Sequence, residues 1–349
     1  MPIAGGLLEA VARAQRLSCT TMQIFSRSPR GGRATTLSPE LVERFDRERR
    51  AADIAPLAIH GPYIINLASP DAVTWNRSVA LCRDEYARAV QLKAQYLVLH
   101  VGSHRGEGEA AGIGRVGFLD VEILLENTAG SGQGLGFQFE QLAAIRNAVS
   151  ANAHVGLCLD TAHLFAAGYP IHTADGLEET LKACDRAVGL AHVKLIHLND
   201  SKVPFGSHVD RHWHIGQGHI GLEPFRRIVT HARLRELPFI LETPKTTDAE
   251  DRRNLATVRK LFSGAGPTSD AVRGPQPRGA DDPSTRFARS GSSRARPKAE
   301  SRDDGNSPTR RARLGWHRGP FACGSRHSRR RPPPAAVVPA SVAGPVGPD

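Results

Sequence analysis

Short apolar runs recur along the chain as far as residue 263, and segments with helical patterning separate them. Parallel strands that are buried on both faces have this continuous apolar character, and strands that alternate with helices form βα units around one sheet. Strands are predicted at 20–25, 55–60, 95–100, 121–126, 154–159, 193–198 and 237–242. Helices are predicted at 5–17, 39–52, 72–94, 138–150, 176–188 and 248–262.

This alternation favours an α/β fold of the TIM (β/α)8 type, in which eight parallel strands are each followed by a helix. Seven strands are predicted, and the chain opens directly into a helix, so the first strand of the barrel is expected to be absent. The connection at 103–120 is rich in glycine, and we expect a shortened crossover without a good helix there. A missing strand would leave two unpaired edges and weaken the fold.

The character of the sequence changes at residue 264. Residues 264–349 contain 13 of the 24 prolines, and hydrophobic periodicity ends there. We therefore predict a barrel domain at 1–263 and a disordered tail rich in Pro, Arg, Gly and Ser at 264–349. Removing this tail is expected to spare catalysis by the barrel domain.

The net charge of +11 is concentrated in the tail. Residues 264–349 hold 16 of the 46 Lys and Arg but 7 of the 35 Asp and Glu, which leaves residues 1–263 a net charge of only +2. Attraction of the barrel to nucleic acid must therefore come from local patches. Because no long apolar stretch, signal-peptide pattern or CxxC pair is present, we expect a cytoplasmic protein with reduced thiols and no membrane association.

Histidine and carboxylate side chains lie at or just after the ends of most predicted strands. The strand ends of a barrel meet at one rim, so these side chains are expected to converge there. Asp160 and His163 would share a helix face, and Asp210 and His212 would point the same way in extended chain. The candidate metal ligands are His60, His100, Glu126, Asp160, His163, His197, Asp210, His212 and Glu242.

These nine side chains offer imidazole nitrogen and carboxylate oxygen but no thiolate. Such a set suits zinc or manganese, with iron as a further alternative. Nine ligands exceed the coordination of one ion, so carboxylates would bridge neighbouring ions. A single histidine at a strand end is more often a hydrogen-bonded structural residue, but the joint pattern at six strand ends favours one polynuclear metal centre.

Several longer motifs surround these candidate ligands. They are HGPYIINLASP, LHVGSH, LLENTAGSGQGLGFQFEQLAAI, VGLCLDTAHLFAAGY, IHLNDSKVPFGSHVDRHWHIGQGHIG and ILETP. Together they resemble endonuclease IV, the family 2 apurinic/apyrimidinic endonucleases, over residues 3–262. The resemblance implies a xylose-isomerase-like TIM barrel that incises double-stranded DNA 5′ to abasic sites in base-excision repair. It also implies a 3′-hydroxyl and a 5′-deoxyribose phosphate as products, and a monomer of bacterial type associated with the nucleoid.

The same resemblance implies three zinc ions, with manganese as an alternative at one position. His60, His100 and Glu126 match the ligands of the first ion. Glu126 would bridge to the second ion, which Asp160, His197 and Glu242 also hold, while His163, Asp210 and His212 match the ligands of the third. Glu126, Asp160 and Glu242 would then act in catalysis by holding a hydroxide that bridges the ions.

Three further residues match side chains that the family uses to contact DNA. Tyr63 and Ile64 correspond to residues that enter the gap at an abasic site, and Arg30 corresponds to an arginine inserted from the minor groove. Core packing is the alternative role for Ile64. Arg27, Arg30 and Arg33 could equally be solvated loop charges.

Two other functions remain open on the sequence alone. A xylose-isomerase-like sugar isomerase or epimerase would share the barrel and use a smaller metal site. A degraded family member would bind metal or DNA without turnover. The isomerase is disfavoured by Tyr63 and by the residues that match the third ion, which are His163, Asp210 and His212.

Overall fold

The computed structural model describes residues 1–32, 34–117, 123–149 and 155–263, together with the backbone of 337–339. Arg33 and most of the predicted tail lie outside the described residues. The predicted disorder of the tail and the domain boundary at residue 263 therefore stay predictions.

The described residues form a TIM barrel with a nearly closed parallel sheet, which confirms the predicted fold class. The seven predicted strands are present as β1 (Met22–Phe25), β2 (Leu57–His60), β3 (Tyr96–His100), β4 (Ile123–Glu126), β5 (Val155–Asp160), β6 (Val193–His197) and β9 (Phe239–Leu241). They pair in parallel in the order in which they occur along the chain. A separate antiparallel ribbon follows β6 and consists of β7 (Asp200–Ser201) and β8 (His212–Trp213).

Helices connect successive strands of the barrel. They are α1 (Leu7–Arg16), α2 (Pro39–Ala51), α3 (Ala72–Gln91), α4 (Glu109–Val116), α5 (Phe139–Ala148), α6 (Thr161–Ala166), α7 (Ala174–Ala187), a 3-10 turn (Leu190–His192), α8 (Leu222–Thr230) and α9 (Asp248–Ser263). Ser38 caps α2 by accepting a hydrogen bond from the Leu41 amide, and Pro39 fills the first helical position. None of the described helices is long and apolar enough to cross a membrane.

The core lies on both sides of the sheet. Strands β1, β2, β4 and β9 are buried along their whole length. This burial is expected when helices cover the outer face and side chains fill the barrel. Helix α1 buries Leu7, Ala10, Val11 and Ala14, which follow the spacing of an amphipathic helix.

The expectation that the glycine-rich connection lacks a good helix was wrong. Helix α4 spans eight residues of it. Gly112 is buried in this helix, where an added Cβ would lie only 2.9 Å from both His104 Cβ and Leu135 Cδ1. Glycine therefore allows α4 to pack closely, and this contact offsets the low helix propensity of the segment.

A strand from the tail occupies the place next to β9. Strand β10 (Val337–Pro339) pairs in parallel with β9, with Val338 opposite Ile240. It extends the sheet to eight strands in the order β1-β2-β3-β4-β5-β6-β9-β10. The eighth strand of the sheet thus comes from the far end of the chain.

Deleting residues 264–349 is therefore expected to lower the thermal stability of the barrel. The tail would then be dispensable for catalysis, as expected from the sequence, but not for stability. The deletion removes the hydrogen-bond partner of β9 and exposes its edge. In a domain of this size each kcal/mol lost shifts Tm by about 2–4 °C, so a fall of several degrees is expected. Differential scanning calorimetry of both chains measures it, and equal Tm values would show that β10 adds nothing to the sheet.

Candidate metal centre

Six strands of the barrel bring predicted ligands to one rim. The final residues of β2, β3, β4, β5 and β6 are His60, His100, Glu126, Asp160 and His197, and Glu242 directly follows β9. His163 lies in the first turn of α6, His212 opens β8, and Asp210 precedes it by two residues. The structure thus brings all nine predicted ligands together.

The first group consists of His60, His100 and Glu126, whose donor atoms lie within 4.8 Å of one another. His60 Nε2 is 3.1 Å from Glu126 Oε2, and His100 Nε2 is 3.5 Å from the same oxygen. His60 and Glu126 are buried, while the His100 side chain is partly exposed. Both imidazoles therefore face one carboxylate oxygen.

The second group uses the other oxygen of Glu126. Glu126 Oε1 lies 3.1 Å from His197 Nδ1. The same nitrogen is 3.2 Å from Glu242 Oε2 and 4.0 Å from Asp160 Oδ2. Glu126 therefore belongs to both groups and lies between them, as a bridging ligand must.

The third group lies beside the second. His163 Nε2 and His212 Nε2 are 3.2 and 3.4 Å from Asp210 Oδ1. His212 Nε2 is also 3.5 Å from Asp160 Oδ2, which links this group to the second. The Asp210 side chain is 52% exposed, so this group opens towards solvent.

Charge pairing dominates the electrostatics of the cluster. Burial would lower the pKa of His163, but Asp160 and Asp210 outweigh it and raise that pKa well above the usual value. Burial likewise opposes protonation of His197, while Cys158, Glu242 and Glu126 raise its pKa well above the usual value. In return His197 holds the pKa of Glu242 at about 2, against the effect of burial. Each carboxylate thus favours the protonated form of the histidine beside it, and each histidine favours the ionised form of the carboxylate.

This donor set fits divalent cations. Buried anions are stable only when a cation or hydrogen bonds compensate them, and Glu126, Asp160 and Glu242 are all buried here. Divalent cations could replace the histidine protons that now serve this purpose, and nitrogen and oxygen donors match zinc and manganese. The donors outnumber what one ion binds, so the site suits several ions.

Cys158 also lies at the centre, beside Glu126 and His197. Burial raises the pKa of its thiol to about 12, so it stays protonated at neutral pH. A cation that bound there would have to displace this proton, as it would the protons of the neighbouring histidines.

Two asparagines that sequence reasoning missed orient the ligands. Asn199 donates to Asp160 Oδ2 at 2.6 Å and accepts from the Glu242 amide at 2.7 Å. Asn127 accepts from the Asp160 amide at 2.7 Å, and its carbonyl oxygen accepts from His163 Nδ1 at 2.8 Å. Their position one or two residues after a strand-end ligand is the signal that could have found them.

Asp200 anchors the loop that carries Asp210 and His212. It is fully buried, and its carboxylate accepts hydrogen bonds from the backbone amides of Ser201, Gly216, Gly218 and Ile220 at 2.8–3.0 Å. An added Cβ at Gly218 would lie 2.3 Å from Ser201 O, so only glycine allows this approach. One carboxylate thereby closes a segment of twenty residues.

Asp200→Asn is expected to lower the free energy of unfolding by about 2–4 kcal/mol, because an amide nitrogen would face buried amide donors. Denaturant unfolding of the metal-free protein measures this loss. Asp185→Asn is the control, since Asp185 caps a turn at the exposed surface through Leu190. An Asp200→Asn variant as stable as this control would show that the loop does not depend on the carboxylate.

The residues predicted to contact DNA lie at the same rim. Tyr63 and Ile64 are 44% and 41% exposed, so core packing is not the role of Ile64. The Tyr63 ring lies 5.4 Å from the His60 ring and 5.9 Å from the His100 ring. Arg30 is exposed on the loop after β1.

Arg27 differs from the solvated loop charge that the sequence left open. Its side chain is buried and pairs with Glu85 and Asp84 on α3. Arg88 of the same helix donates to Ser26 O at 2.7 Å and to Thr35 O at 3.0 Å. This network fixes both ends of the loop that presents Arg30.

Comparisons with known proteins agree with the fold. Residues 11–261 match the family model of the xylose isomerase-like TIM barrel. A probable endonuclease 4 of Chloroflexus aurantiacus is 44% identical over 277 residues, which cover 76% of this chain and 97% of that protein. A probable endonuclease 4 of Solibacter usitatus is 45% identical over 74% of this chain and 93% of that protein. The chain belongs to the endonuclease IV family.

A solved member of the endonuclease IV family has the same barrel. The crystal structure of endonuclease IV from Thermus thermophilus superposes with a TM-score of 0.68 at 39% identity, over 76% of this chain and 98% of that one. The match therefore spans nearly the whole of that protein.

Proposed function

We propose that this protein is a zinc-dependent endonuclease that incises duplex DNA 5′ to abasic sites during base-excision repair. The products would be a 3′-hydroxyl and a 5′-deoxyribose phosphate. Membership of the endonuclease IV family supports nuclease activity. The observation that carries the proposal is the meeting of three donor groups at one rim of the barrel.

Three zinc ions would be held by the three groups, with manganese as an alternative at one position. Bound there, such ions lower the pKa of a water molecule and stabilise negative charge that develops on a phosphate. Glu126 would connect the first two groups, because its two oxygens face different histidines. Asp160 and Glu242 would complete the second group, and the exposure of Asp210 would leave the third open to the DNA backbone.

Tyr63 and Ile64 would locate the lesion. An aromatic and an aliphatic side chain on one exposed turn can act as a wedge between bases, and an abasic site offers least resistance because no base must be unstacked there. The Tyr63 ring lies against His60 and His100, so insertion would bring the damaged nucleotide beside the first group. Arg30 would contact the backbone from the neighbouring loop.

The sugar isomerase alternative has less support. It needs a smaller metal site, whereas His163, Asp210 and His212 form a third donor group. The exposed pair of Tyr63 and Ile64 also suits a wedge into a duplex better than a pocket for a small sugar.

Incubation with a synthetic duplex that carries one abasic site tests the proposal. We expect a single nick 5′ to the lesion that a chelator abolishes and added zinc restores, while an undamaged duplex stays intact. Absence of a chelator-sensitive nick would refute the proposal. Binding of the damaged duplex without a nick would instead favour a degraded family member.

A further inference from the structure

A buried glutamine on β1 connects two residues of the second group. Gln23 is fully buried in the barrel. Its Nε2 lies 2.8 Å from Glu242 Oε1, and its Oε1 lies 2.9 Å from His197 Nε2. The side-chain amide of Gln23 therefore contacts both Glu242 and His197.

The chemistry of the partners fixes the direction of both hydrogen bonds. The carboxylate of Glu242 can only accept, so the NH₂ group of Gln23 must face it. The amide oxygen then faces His197, and His197 Nε2 must carry a proton. That tautomer leaves His197 Nδ1 free, and Nδ1 is the nitrogen that faces Glu126 and Glu242 Oε2 at 3.1 and 3.2 Å.

His197 differs in this respect from other histidines of the centre. The Nδ1 atoms of His60, His163 and His212 lie 2.7–3.1 Å from backbone carbonyl oxygens, and their Nε2 atoms lie 3.1–3.4 Å from carboxylate oxygens. His163 Nδ1 is in addition 3.3 Å from Glu126 Oε1. His197 has the reverse orientation, and the acceptor for its outer nitrogen is a side chain. A backbone carbonyl remains when its residue is substituted, whereas the acceptor of His197 is lost when Gln23 is substituted.

The order of the strands gives the hydrogen bond between Gln23 and Glu242 a second role. Gln23 lies on β1 and Glu242 follows β9, and these two strands are not hydrogen-bonded neighbours in the sheet. Backbone hydrogen bonds between β1 and β9 therefore do not set the distance between these two strands in the described sheet. The hydrogen bond from Gln23 to Glu242 therefore links β1 directly to the end of β9.

We propose that Gln23 is a positioning residue of the second group, which holds His197 in the Nε2–H tautomer and turns Glu242 Oε2 towards the metal. This inference rests on the proposed metal site. Partners that orient metal ligands in this way contribute about 10–100-fold to metal affinity. Gln23 does not itself provide a ligand atom, because both of its polar atoms are used in these two bonds.

Zinc titration of the full chain against a chromophoric chelator tests the role of Gln23. Gln23→Met keeps the length of the side chain and removes both hydrogen bonds. We expect it to lower the affinity for one zinc equivalent by about 10–100-fold and to leave the others unchanged. Gln141→Met is the matched control, because Gln141 is also buried but accepts from the Gly136 amide at 2.8 Å.

NMR of zinc-saturated protein with isotope-labelled histidine gives a second readout. Gln23→Glu retains an acceptor for His197, so it should keep the downfield chemical shift of the hydrogen-bonded His197 Nε2–H, while Gln23→Met should move that resonance upfield. This measurement remains decisive if Gln23→Met folds poorly, since an upfield shift in Gln23→Glu would also overturn the inference. Unchanged zinc affinity in Gln23→Met would overturn it as well. A wild-type protein that binds no zinc would instead refute the proposed function.

Discussion

Replacing Glu126 with glutamine is expected to lower the rate of incision at abasic sites by at least about 10³-fold, which is about 4 kcal/mol of transition-state stabilisation. The two carboxylate oxygens face different histidine pairs, with His60 and His100 on one side and His163 and His197 on the other. Glutamine is nearly isosteric but carries no charge, and its NH₂ group would point at one of these pairs. It would therefore lose the bridge between two ions while keeping the shape of the site.

Single-turnover incision of an abasic duplex measures this effect, and fluorescence anisotropy measures binding of the same duplex. Binding is expected to change little, because Glu126 is buried and the proposed contacts to DNA come from Tyr63, Ile64 and Arg30. Asp251→Asn is the control for loss of a buried carboxylate, since Asp251 pairs with Lys245 instead of facing the centre. Turnover of Glu126→Gln at the wild-type rate would refute the bridging role.

The positions of the barrel strands follow from the sequence because burial on both faces leaves a local signature. The runs LAIH and VKLIH are mostly apolar and end in histidine. In the structure, the corresponding strands end at the same histidines, His60 and His197. The ribbon of β7 and β8 leaves no such signature, because each strand has only two residues and depends on Asp200. Its formation is a consequence of a buried carboxylate and not of strand propensity.

Other parts of the fold depend on contacts between distant segments. The pairing of β10 with β9 joins residues about a hundred positions apart, and the prolines around Val337 indicate disorder when taken alone. Helix α4 contains two glycines and would be weak in isolation, but Gly112 gains a close contact with His104 and Leu135. Tertiary packing decides both cases, and local patterns do not contain it.

The candidate ligands were easier to predict than the residues that orient them. Parallel strands put their carboxyl ends at one rim, so a histidine or carboxylate at each end is enough to place the set. Gln23 lies in the middle of β1, and nothing nearby in the sequence distinguishes it from a packed polar residue. Its role becomes visible only when β1 and β9 are brought together across the barrel.

Zinc affinity is expected to rise by about 10-fold for each pH unit around neutrality at the second group and again at the third, because one proton must leave each group when zinc binds and each proton contributes about 1.4 kcal/mol per pH unit. The pKa values of His163 and His197 are raised well above the usual value, the first chiefly by Asp160 and Asp210, the second by Cys158, Glu242 and Glu126. Both imidazoles therefore favour the protonated form in the metal-free protein. Zinc needs the neutral form, so protons and metal compete for the same nitrogen atoms.

The same pKa shifts give the metal-free and zinc-bound proteins opposite pH dependences of stability. A histidine whose pKa is raised on folding stabilises the metal-free protein below its unfolded pKa, and this contribution is lost as pH rises through the folded pKa. The Tm of the metal-free protein should therefore fall as pH rises above about 6.5. With zinc present the Tm should rise over the same range, because tighter binding stabilises the folded state. Calorimetric zinc titrations in two buffers of different ionisation enthalpy count the released protons, and a release near zero would show that these histidines are already neutral in the metal-free site.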